Sequence, residues 1–518
     1  MPWQEASSTM NLNLSDTPKG LTPKWRRNFL TIALLLSVGT PIVSIRSVAQ
    51  EPQMPEMQMS TGQDATQHPA MNKPAVHALP RFGQAQRDAH EKLFTLEEAQ
   101  QIAREKNPTL QQAEAGIKAA RAREQQAGLL PNPIVGYSGD EIRGGETGGG
   151  KQGFFAEQRI VMGGKLGKAR AVFAKDTSLA EIEAEEQRIR VETAVKMAFY
   201  RVLAAQELAD IRAQLAQVAN ENAITERRLG NTGQADETEI LEAELQAHRL
   251  MLARRMQENT LREEWRSLAA AMGDPEKERA IVAGDLEHGW PELADQEVLE
   301  AIAKNSPAVR IANASATRNA AEIVRARREA IPDLRVRGGL LYNNELAGTV
   351  PRTTGWEGTA EVGVEIPIFN RNQGNVAAAL AEGDRAEEEK RRVALTLRAR
   401  TANVLDQYSN ARLVVEQYGR EILPRARKAY ELMEQRHGEM LASYPRVLEM
   451  QRRLFELHME YVAALESVWT SGIALQGFLL TDGLEAPARP GEMDRPIRET
   501  NVPMPERTMG PESSAPRP

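Results

Sequence analysis

Two long stretches of the chain repeat their hydrophobic positions every three or four residues. In residues 165–230 no proline interrupts the pattern, and Leu208, Ile211 and Leu215 mark its apolar stripe at steps of three and four. This spacing predicts an α-helix that packs against other helices. At about 1.5 Å per residue such a helix is about 95 Å long, which is more than a compact domain needs. Residues 373–436 show the same character and predict a second long helix.

The pattern before the first long helix predicts shorter elements. From residue 93 the apolar spacing is helical, and Thr95 with Glu98 forms a capping-box signature. Residues 134–160 contain two short strand-like runs around a glycine-rich tip, which predicts a β-hairpin. The long helix, about residues 165–229, ends at a turn rich in glycine and polar residues, from which another helix returns.

The same order of elements recurs in the second half, which predicts two tandem repeats over residues 93–295 and 296–483. The second repeat has its hairpin at about residues 334–366 and its long helix at about residues 373–436. Three residues of its apolar stripe lie 207 positions after Leu208, Ile211 and Leu215, namely Val415, Tyr418 and Ile422. Pro424 is the exception to the pattern, because proline in a helix interior is expected to kink it.

The N-terminal pattern predicts an export signal. Three basic residues within positions 24–27 precede a short apolar core at 29–38, and Ser-Val-Ala at 47–49 offers a cleavage site. We therefore expect residues 1–49 to be a signal peptide, with Met10 as an alternative start. The apolar core is too short to span a bilayer as a mature helix, although a buried helix or an uncleaved anchor is the alternative.

Residues 50–92 form a leader that is poor in aliphatic residues and rich in Met, His and Pro. Its candidate metal ligands are Met54, Met57, Met59, His68, Met71 and His77. Thioethers and imidazoles suit soft or borderline cations such as Cu(I), whereas the alternative is a disordered segment of biased composition. The Pro-rich residues 484–518 predict a disordered tail.

Composition narrows the class of protein. The 518 residues are 41% hydrophobic, 5% aromatic and 26% charged, which is typical of long packed helices. A net charge of −7 gives no reason to expect nucleic acid as a partner. The chain has no cysteine, which excludes disulfides, thiolate metal sites and a lipidated N-terminal cysteine.

Two hairpins supply only four strands, whereas membrane barrels need about eight or more. Unpaired strand edges are not tolerated in hydrocarbon, so strands from several chains must be combined. Three chains give twelve strands, and two or four chains also give closable numbers. The predicted fold is mainly α with a small β part.

Several short motifs occur in the same order in both halves and resemble the TolC family of outer-membrane efflux factors, with similarity to its CzcC and CusC heavy-metal branch. The motifs are Leu96-x-x-Ala99 with Asn107-Pro108, Leu129 to Pro133, Arg159 to Lys165, Gly233 with Ile240 to Ala243, Pro367 to Phe369, and Val447 to Glu449. The resemblance implies a homotrimer with a twelve-strand membrane β-barrel continued by a periplasmic helical barrel. It also implies a location in the cell outer membrane, extending into the periplasm, and docking to an RND-type inner-membrane pump through a periplasmic adaptor (membrane fusion protein).

The turns at residues 230–237 and 438–444 would form the periplasmic mouth of such a channel. Candidate mouth residues are Asp236, Glu237, Glu239, Glu439, Arg227, Arg228 and Arg436. Tripled by symmetry, the acids would form rings that attract cations, and the arginines would pair with acids to hold the mouth closed. Solvated helix-end carboxylates and ordinary surface ion pairs are the alternatives.

No motif places a catalytic group or a cofactor site, so the sequence predicts no enzyme. The leading hypothesis is passive conduction of heavy-metal cations in a tripartite efflux system. The alternatives are a channel for drugs or other organic solutes, the exit duct of a type I protein secretion system, and a purely structural periplasmic coiled coil.

Overall fold

The computed structural model describes residues 93–140, 142, 150–347 and 352–487. The predicted signal peptide, the Met/His leader with its candidate ligands, and the tail beyond residue 487 lie outside the described residues. Within them the chain is mainly α-helical with one small antiparallel sheet, which confirms the predicted class. No described helix combines the length and the apolar character that crossing a bilayer requires.

The first half contains four helices and a hairpin among the described residues. These are α1 (Leu96–Lys106), α2 (Pro108–Ala127), β1 (Ile134–Asp140), β2 (Lys151–Ile160), α3 (Lys165–Asn231) and α4 (Glu237–Met272). The capping box of Thr95 and Glu98 begins α1 as predicted. Gly273 ends α4 at a positive φ of 77°, and a Cβ atom there would lie 2.7 Å from the Lys106 carbonyl oxygen. Only glycine therefore fits this point, where α4 ends against α1.

The second half repeats this order with one difference. Its elements are α5 (Asp295–Asn305), α6 (Pro307–Arg328), β3 (Leu334–Ala347), β4 (Arg352–Val364), α7 (Gln373–Gln417), a π-helical turn (Tyr418–Ile422), α8 (Leu423–Gly438) and α9 (Tyr444–Gln476). Helical structure therefore extends over the predicted residues 373–436, and the π turn interrupts it directly before Pro424, where the sequence predicted a kink. Pro424 has no N–H to donate and its ring clashes with the preceding turn, and the wider π turn relieves this conflict.

The two hairpins join into a single four-stranded sheet in the order β1-β2-β3-β4, with every neighbour antiparallel. β2 pairs with β3 over its full length, from Lys151 opposite Asn343 to Ile160 opposite Leu334. β1 and β4 are the outer strands of the described sheet, so each has one edge that carries no ladder within this chain.

The core lies where α3 crosses the other helices. α3 packs against α2, α4, α6 and α9, and the predicted stripe residues Ile211, Leu215 and Val415 are buried there with Tyr408 and Phe199. Two smaller clusters lie apart from this core, beside the helix turns. One comprises Ala223, Ala243 and Ala247, and the other comprises Tyr430, Val447 and Leu454.

A buried polar network connects α1 and α2 to α3 and α4. The Asn107 carboxamide oxygen accepts hydrogen bonds from the backbone N–H and the hydroxyl of Thr109, at 2.9 and 2.7 Å. The Asn107 Nδ2 donates to the carbonyl oxygen of Ala271 at 2.8 Å, and Gln187 Nε2 donates to Thr109 Oγ1 at 2.8 Å. Because every member is bonded, this network fixes the helix ends relative to one another.

Candidate functional site

One face of the sheet is apolar and exposed. Strand register places the side chains of Tyr137, Phe154 and Leu340 in one row across three strands, and Val336 opposite Val362 in another. The large apolar residues of this face, each at least 36% exposed, are Val135, Tyr137, Phe154, Val336, Leu340, Trp356, Val362 and Val364. A continuous apolar surface of this kind is typical of contact with lipid or another protein.

Aromatic pairs lie toward the loop ends of both hairpins on this face. The rings of Tyr137 and Phe154 are 5.7 Å apart and those of Tyr342 and Trp356 are 5.5 Å apart, both edge to face. The Tyr137 hydroxyl donates to Gln152 Oε1 at 2.7 Å. Aromatic rings with a polar tip are suited to the boundary between an apolar phase and water.

The opposite face of the sheet is charged. Lys151 Nζ lies 3.2 Å from Glu357 Oε2, and the Arg337 guanidinium lies 3.9 Å from the centre of the Phe155 ring. Register places Arg337 between Glu157 on β2 and Glu361 on β4. Most charged side chains of the strands therefore lie on one side and most large exposed apolar side chains on the other, while Ile134, Phe155 and Leu341 are apolar residues on the charged side. Neither side packs on a core formed by the described residues.

Ion pairs and a glycine fix the base of the sheet. Asp333 accepts hydrogen bonds from Lys165 Nζ at 2.9 Å and from the Met162 backbone N–H at 3.1 Å, and Arg159 lies 3.3 Å away. Burial acts to raise the pKa of the Asp333 carboxyl, but these donors outweigh it and hold the pKa below its ordinary value. A Cβ atom on Gly163, whose φ is 70°, would lie 2.7 Å from the Ile331 side chain. Glycine at this corner therefore lets α3 begin directly beside the second hairpin.

The predicted acids at the turn that joins α3 to α4, here called the first helix turn, make local contacts. Asp236 and Glu239 form a capping box, with the Asp236 side chain accepting from the Glu239 N–H at 2.8 Å. Glu237 lies exposed in the first turn of α4. Arg227 Nε donates to Glu244 Oε1 at 3.0 Å, so it pairs within the α3–α4 pair. Arg228 lies in the last turn of α3. The role of these residues in a channel mouth stays a prediction.

The turn that joins α8 to α9, here called the second helix turn, exposes apolar side chains that the sequence analysis did not identify. Met440 is 92% exposed at a positive φ of 59°, and Leu441 is 66% exposed. Glu439 accepts from Gln435 Nε2 at 3.0 Å, and the Arg436 carbonyl accepts from the Leu441 N–H at 2.8 Å. The sequence could have indicated this surface, because turns are usually polar and this short turn contains a methionine and a leucine. The functions of Glu439 and Arg436 stay predictions.

The two turns lie at the same end of the helices. Tyr444 begins α9, directly after the second turn, and burial together with Glu221 and Glu226 of α3 raises its pKa. Burial and the neighbouring Glu239 carboxylate raise the pKa of Glu226 in turn. Glu221 and Glu226, near the end of α3, therefore lie close to the start of α9, whereas a mouth shared by the two turns stays a prediction.

A buried acid on α3 has no counterpart in the sequence analysis. Burial, Glu186 and Asp176 raise the pKa of Glu183 to about 7, and Glu183 Oε2 is buried without a hydrogen-bond partner. Glu186 is bonded to Arg190 at 2.5 Å. Within the described ranges no group of three or more His, Asp or Glu side chains is arranged to hold a metal ion.

Comparison with known proteins shows similarity to one family. The family described as Outer membrane efflux protein matches residues 298–479, which contain the second hairpin and the second pair of long helices. This match covers the second half of the chain, and it is a similarity to the outer membrane efflux proteins. It is similar to the cobalt-zinc-cadmium resistance protein CzcC of Cupriavidus metallidurans, with 24% identity over 413 residues that cover 77% of this chain and 96% of that protein.

Solved structures show the same fold. A membrane protein from Pseudomonas aeruginosa matches with a TM-score of 0.61 at 17% identity, covering 74% of this chain and 92% of that one. CusC matches with a TM-score of 0.60 at 16% identity, covering 79% and 98%. The open state of the MtrE outer membrane channel of Neisseria gonorrhoeae matches with a TM-score of 0.59 at 15% identity, covering 76% and 90%. These matches show the fold, and together with the family match and the similarity to CzcC they agree with the predicted resemblance and outer-membrane location.

Proposed function

We propose that this chain is an outer membrane efflux protein that forms the channel of a tripartite efflux system, and that it passively conducts heavy-metal cations to the exterior. The observation that carries the proposal is the two-faced sheet with free outer edges. An exposed apolar face on a sheet that has no core partner suits hydrocarbon, and an opposite charged face suits an aqueous lumen.

The free edges of β1 and β4 support assembly from several chains. Unpaired backbone groups in hydrocarbon each cost several kcal/mol, so a membrane sheet must close on itself. If β1 of one chain pairs with β4 of the next, three chains give a closed barrel of twelve strands. The apolar row from Tyr137 to Leu340 then faces lipid, and the charged row of Glu157, Arg337 and Glu361 lines the channel.

The helices supply the periplasmic part. α3 has 67 residues and is therefore about 100 Å long, which is enough to cross a wide compartment. Each chain has two turns between long helices, at residues 230–237 and 438–444. In a homotrimer the six turns would surround the mouth. The exposed Met440 and Leu441 would contact the tip of a periplasmic adaptor, and an inner-membrane RND-type pump would supply the energy.

The choice of heavy-metal cations is supported by the similarity to CzcC over nearly all of that protein. We further propose that the acids near the mouth, Asp236, Glu237, Glu239 and Glu439, attract cations once they are tripled. Within the same proposal Met54, Met57, Met59, His68, Met71 and His77 of the leader bind soft or borderline cations before they enter the channel. The protein itself would carry out no chemical step.

Deletion of the gene in its native host tests the substrate. We expect hypersensitivity to cobalt, zinc, cadmium or copper that the full protein restores, measured as growth against metal concentration. A version lacking residues 50–82 tests the leader, and restoration of full tolerance by that version would exclude a role for it. Sensitivity to dyes and detergents with unchanged metal tolerance would instead indicate an organic-solute channel, and loss of a secreted protein would indicate a type I secretion duct.

A further inference from the structure

The two halves of the chain meet along a boundary that we call the internal seam. β2 pairs with β3 over its full length, and α3, which follows β2, packs against α6, which precedes β3. Where the strands meet these helices, a Cβ atom on Gly163 would lie 2.7 Å from the Ile331 side chain, so the two corners are in contact. The internal seam therefore consists of paired strands, touching corners and packed helices.

Both sides of the internal seam have counterparts on the outer flanks of the chain. α7 follows β4 as α3 follows β2, and α2 precedes β1 as α6 precedes β3. α7 begins 208 residues after α3, and the residue before each helix, Asn372 or Gly164, has a positive φ of 61° or 68°. α6 ends 201 residues after α2, and Leu130 corresponds in the same way to Ile331. One outer flank, β4 with α7, thus matches the β2 side of the seam, and the other, β1 with α2, matches the β3 side.

Apolar residues that are half-buried near the internal seam have exposed counterparts on the outer flanks. Ile331 is half-buried, whereas Leu130 is 69% exposed. Val161 is half-buried, whereas Phe369, 208 residues later, is 90% exposed. The backbone at Phe369 is nevertheless held, because its carbonyl oxygen accepts a hydrogen bond from Gln373 Nε2 at 3.2 Å. A large exposed ring on an ordered backbone is suited to anchor a protein interface.

The helices of the two outer flanks carry complementary charges. In the internal seam Arg318 Nε of α6 donates to Asp176 of α3 at 3.1 Å. Asp384 of α7 lies 208 residues after Asp176. α2 begins 199 and ends 201 residues before α6, so Lys118 in its middle corresponds to Arg318 within one residue. Asp384 and Lys118 are exposed and form no ion pair among the described residues, which leaves an acid on one flank and a base on the other.

We propose that the outer flanks of neighbouring copies of this chain join in the way the two halves join inside it, an inference that rests on the proposed assembly of several chains. The spacings of 208 and 201 residues then transfer the β2–β3 register to β4 and to β1 of the next copy. Because Gln158 is opposite Val336, Ile366 lies opposite Val135 of the next copy. Val135 belongs to the apolar face, and Ile366 continues the alternation of Val364 on that face. The transferred register therefore keeps the apolar face continuous, whereas a shift by one residue would reverse it.

The same arrangement places the unmatched side chains of the outer flanks together. Phe369 and Leu130 of the next copy meet at the shared corner, and Asp384 faces Lys118 of the next copy. Since each copy contributes two different flanks, the contact is head to tail and produces a ring when the rotation closes. The partner of each outer flank is therefore a second copy of this chain.

The chain has no cysteine, so pairs of introduced cysteines report the register directly. The test uses full-length protein in outer membranes, oxidised with diamide and separated without reductant. Residues directly opposite each other are close enough for a disulfide, whereas diagonal neighbours are about 7–8 Å apart. We expect covalent dimers and larger oligomers from Val135→Cys with Ile366→Cys, and about tenfold less from Val135→Cys with Val364→Cys.

Gln158→Cys with Val336→Cys is the matched control, because these residues are opposite each other within one chain. We expect this pair to form a disulfide without any covalent dimer. More dimer from the Val364→Cys pair than from the Ile366→Cys pair would overturn the register. Fractionation and native mass spectrometry of wild type keep the two hypotheses apart. Wild type outside the outer membrane would contradict the proposed function, whereas an outer-membrane oligomer without cross-links in either pair would contradict only this interface.

A second measurement does not depend on cysteines. We expect Phe369→Ala and Leu130→Ala to lower the temperature at which the detergent-solubilised oligomer dissociates into single chains, because each removes apolar surface from the shared corner. Met440→Ala is the control, since Met440 is 92% exposed but lies in the second helix turn. We expect it to leave the dissociation temperature unchanged. Equal dissociation temperatures for Phe369→Ala and wild type would overturn the contact at this corner.

Discussion

The long helices of the two halves share the same hydrophobic pattern in the sequence but differ in backbone conformation in the structure. α3 continues for 67 residues without a break, whereas its counterpart consists of a 45-residue α7, a five-residue π turn and a 16-residue α8. The apolar stripe is equivalent in both. A single proline, Pro424, therefore decides where the second helix deviates, and the hydrophobic period does not.

Packing beyond the π turn also differs. The first pair of helices closes with the alanines Ala223, Ala243 and Ala247, which let the two backbones approach closely. The second pair instead packs around the larger side chains of Tyr430, Val447 and Leu454. The Tyr418 hydroxyl donates to Glu460 Oε2 at 2.6 Å and so ties the π turn to α9. Equivalent apolar stripes therefore specify a long helix in each half, whereas the π turn directly before Pro424 has no counterpart in α3.

We expect the two hairpins, unlike the long helices, to be equivalent in their contact with the membrane. The prediction with the largest expected effect compares them. A lysine at Val362 in the second hairpin, or at Val135 in the first, places a charge on the apolar face. In a membrane this destabilises each chain by about 2–4 kcal/mol. We expect both Val362→Lys and Val135→Lys to abolish insertion into the outer membrane, as measured by membrane fractionation. Glu361→Lys, on the charged face next to Val362, is the control. Insertion of only one of the two lysine variants would show that the hairpins are unequal.

Large-to-small substitution at matched stripe positions compares the two helices directly. Leu215 is buried in the main core, and Ile422, 207 residues later, is only half-buried at the π turn. We expect Leu215→Ala to lower the free energy of unfolding by about 2–5 kcal/mol and Ile422→Ala to lower it by less, because the cavity left is smaller. Denaturant unfolding of the detergent-solubilised protein measures both. Equal losses would mean that the π turn is packed as tightly as α3.

Moving the proline tests its role in the bend. Gln217 of α3 corresponds to Pro424, is exposed, and donates to Glu221 at 3.0 Å. Gln217→Pro removes a helix hydrogen bond and introduces a steric clash. We expect it to lower the free energy of unfolding by about 3 kcal/mol. Gln217→Ala is the control, for which we expect little change. Pro424→Ala should change stability by less than about 1 kcal/mol, because the π turn already accommodates the site. A large loss in Pro424→Ala would instead show that the proline stabilises the turn.

A pH-dependent effect is expected at Glu183, whose counterpart in the second half is Lys390. The pKa of Glu183 is raised to about 7 in the fold, above the value of about 4.3 for a free glutamate. The folded state therefore binds this proton more tightly than the unfolded state does, and stability falls as pH rises from about 4.3 to about 7. Glu183→Gln should flatten stability against pH in that window, measured by unfolding at several pH values. Lys390→Gln is the control, and an identical pH profile in Glu183→Gln and wild type would refute the assignment.

The sequence determined the local elements and their order. Helical and alternating periods are properties of neighbouring residues, so α3, both hairpins and the capping box of Thr95 and Glu98 could be predicted from them. The buried positions of Ile211 and Leu215 followed from the same period. Pro424 marked the region of the break, because the missing N–H is a local fact.

The tertiary structure alone decided which distant residues meet. The pairing of β2 with β3 joins residues about 180 positions apart and depends on where the intervening helices turn. The raised pKa of Glu183 and the lowered pKa of Asp333 arise from burial and from partners on other elements. Periodicity carries no information about such contacts, since each requires two separate segments to be placed in three dimensions.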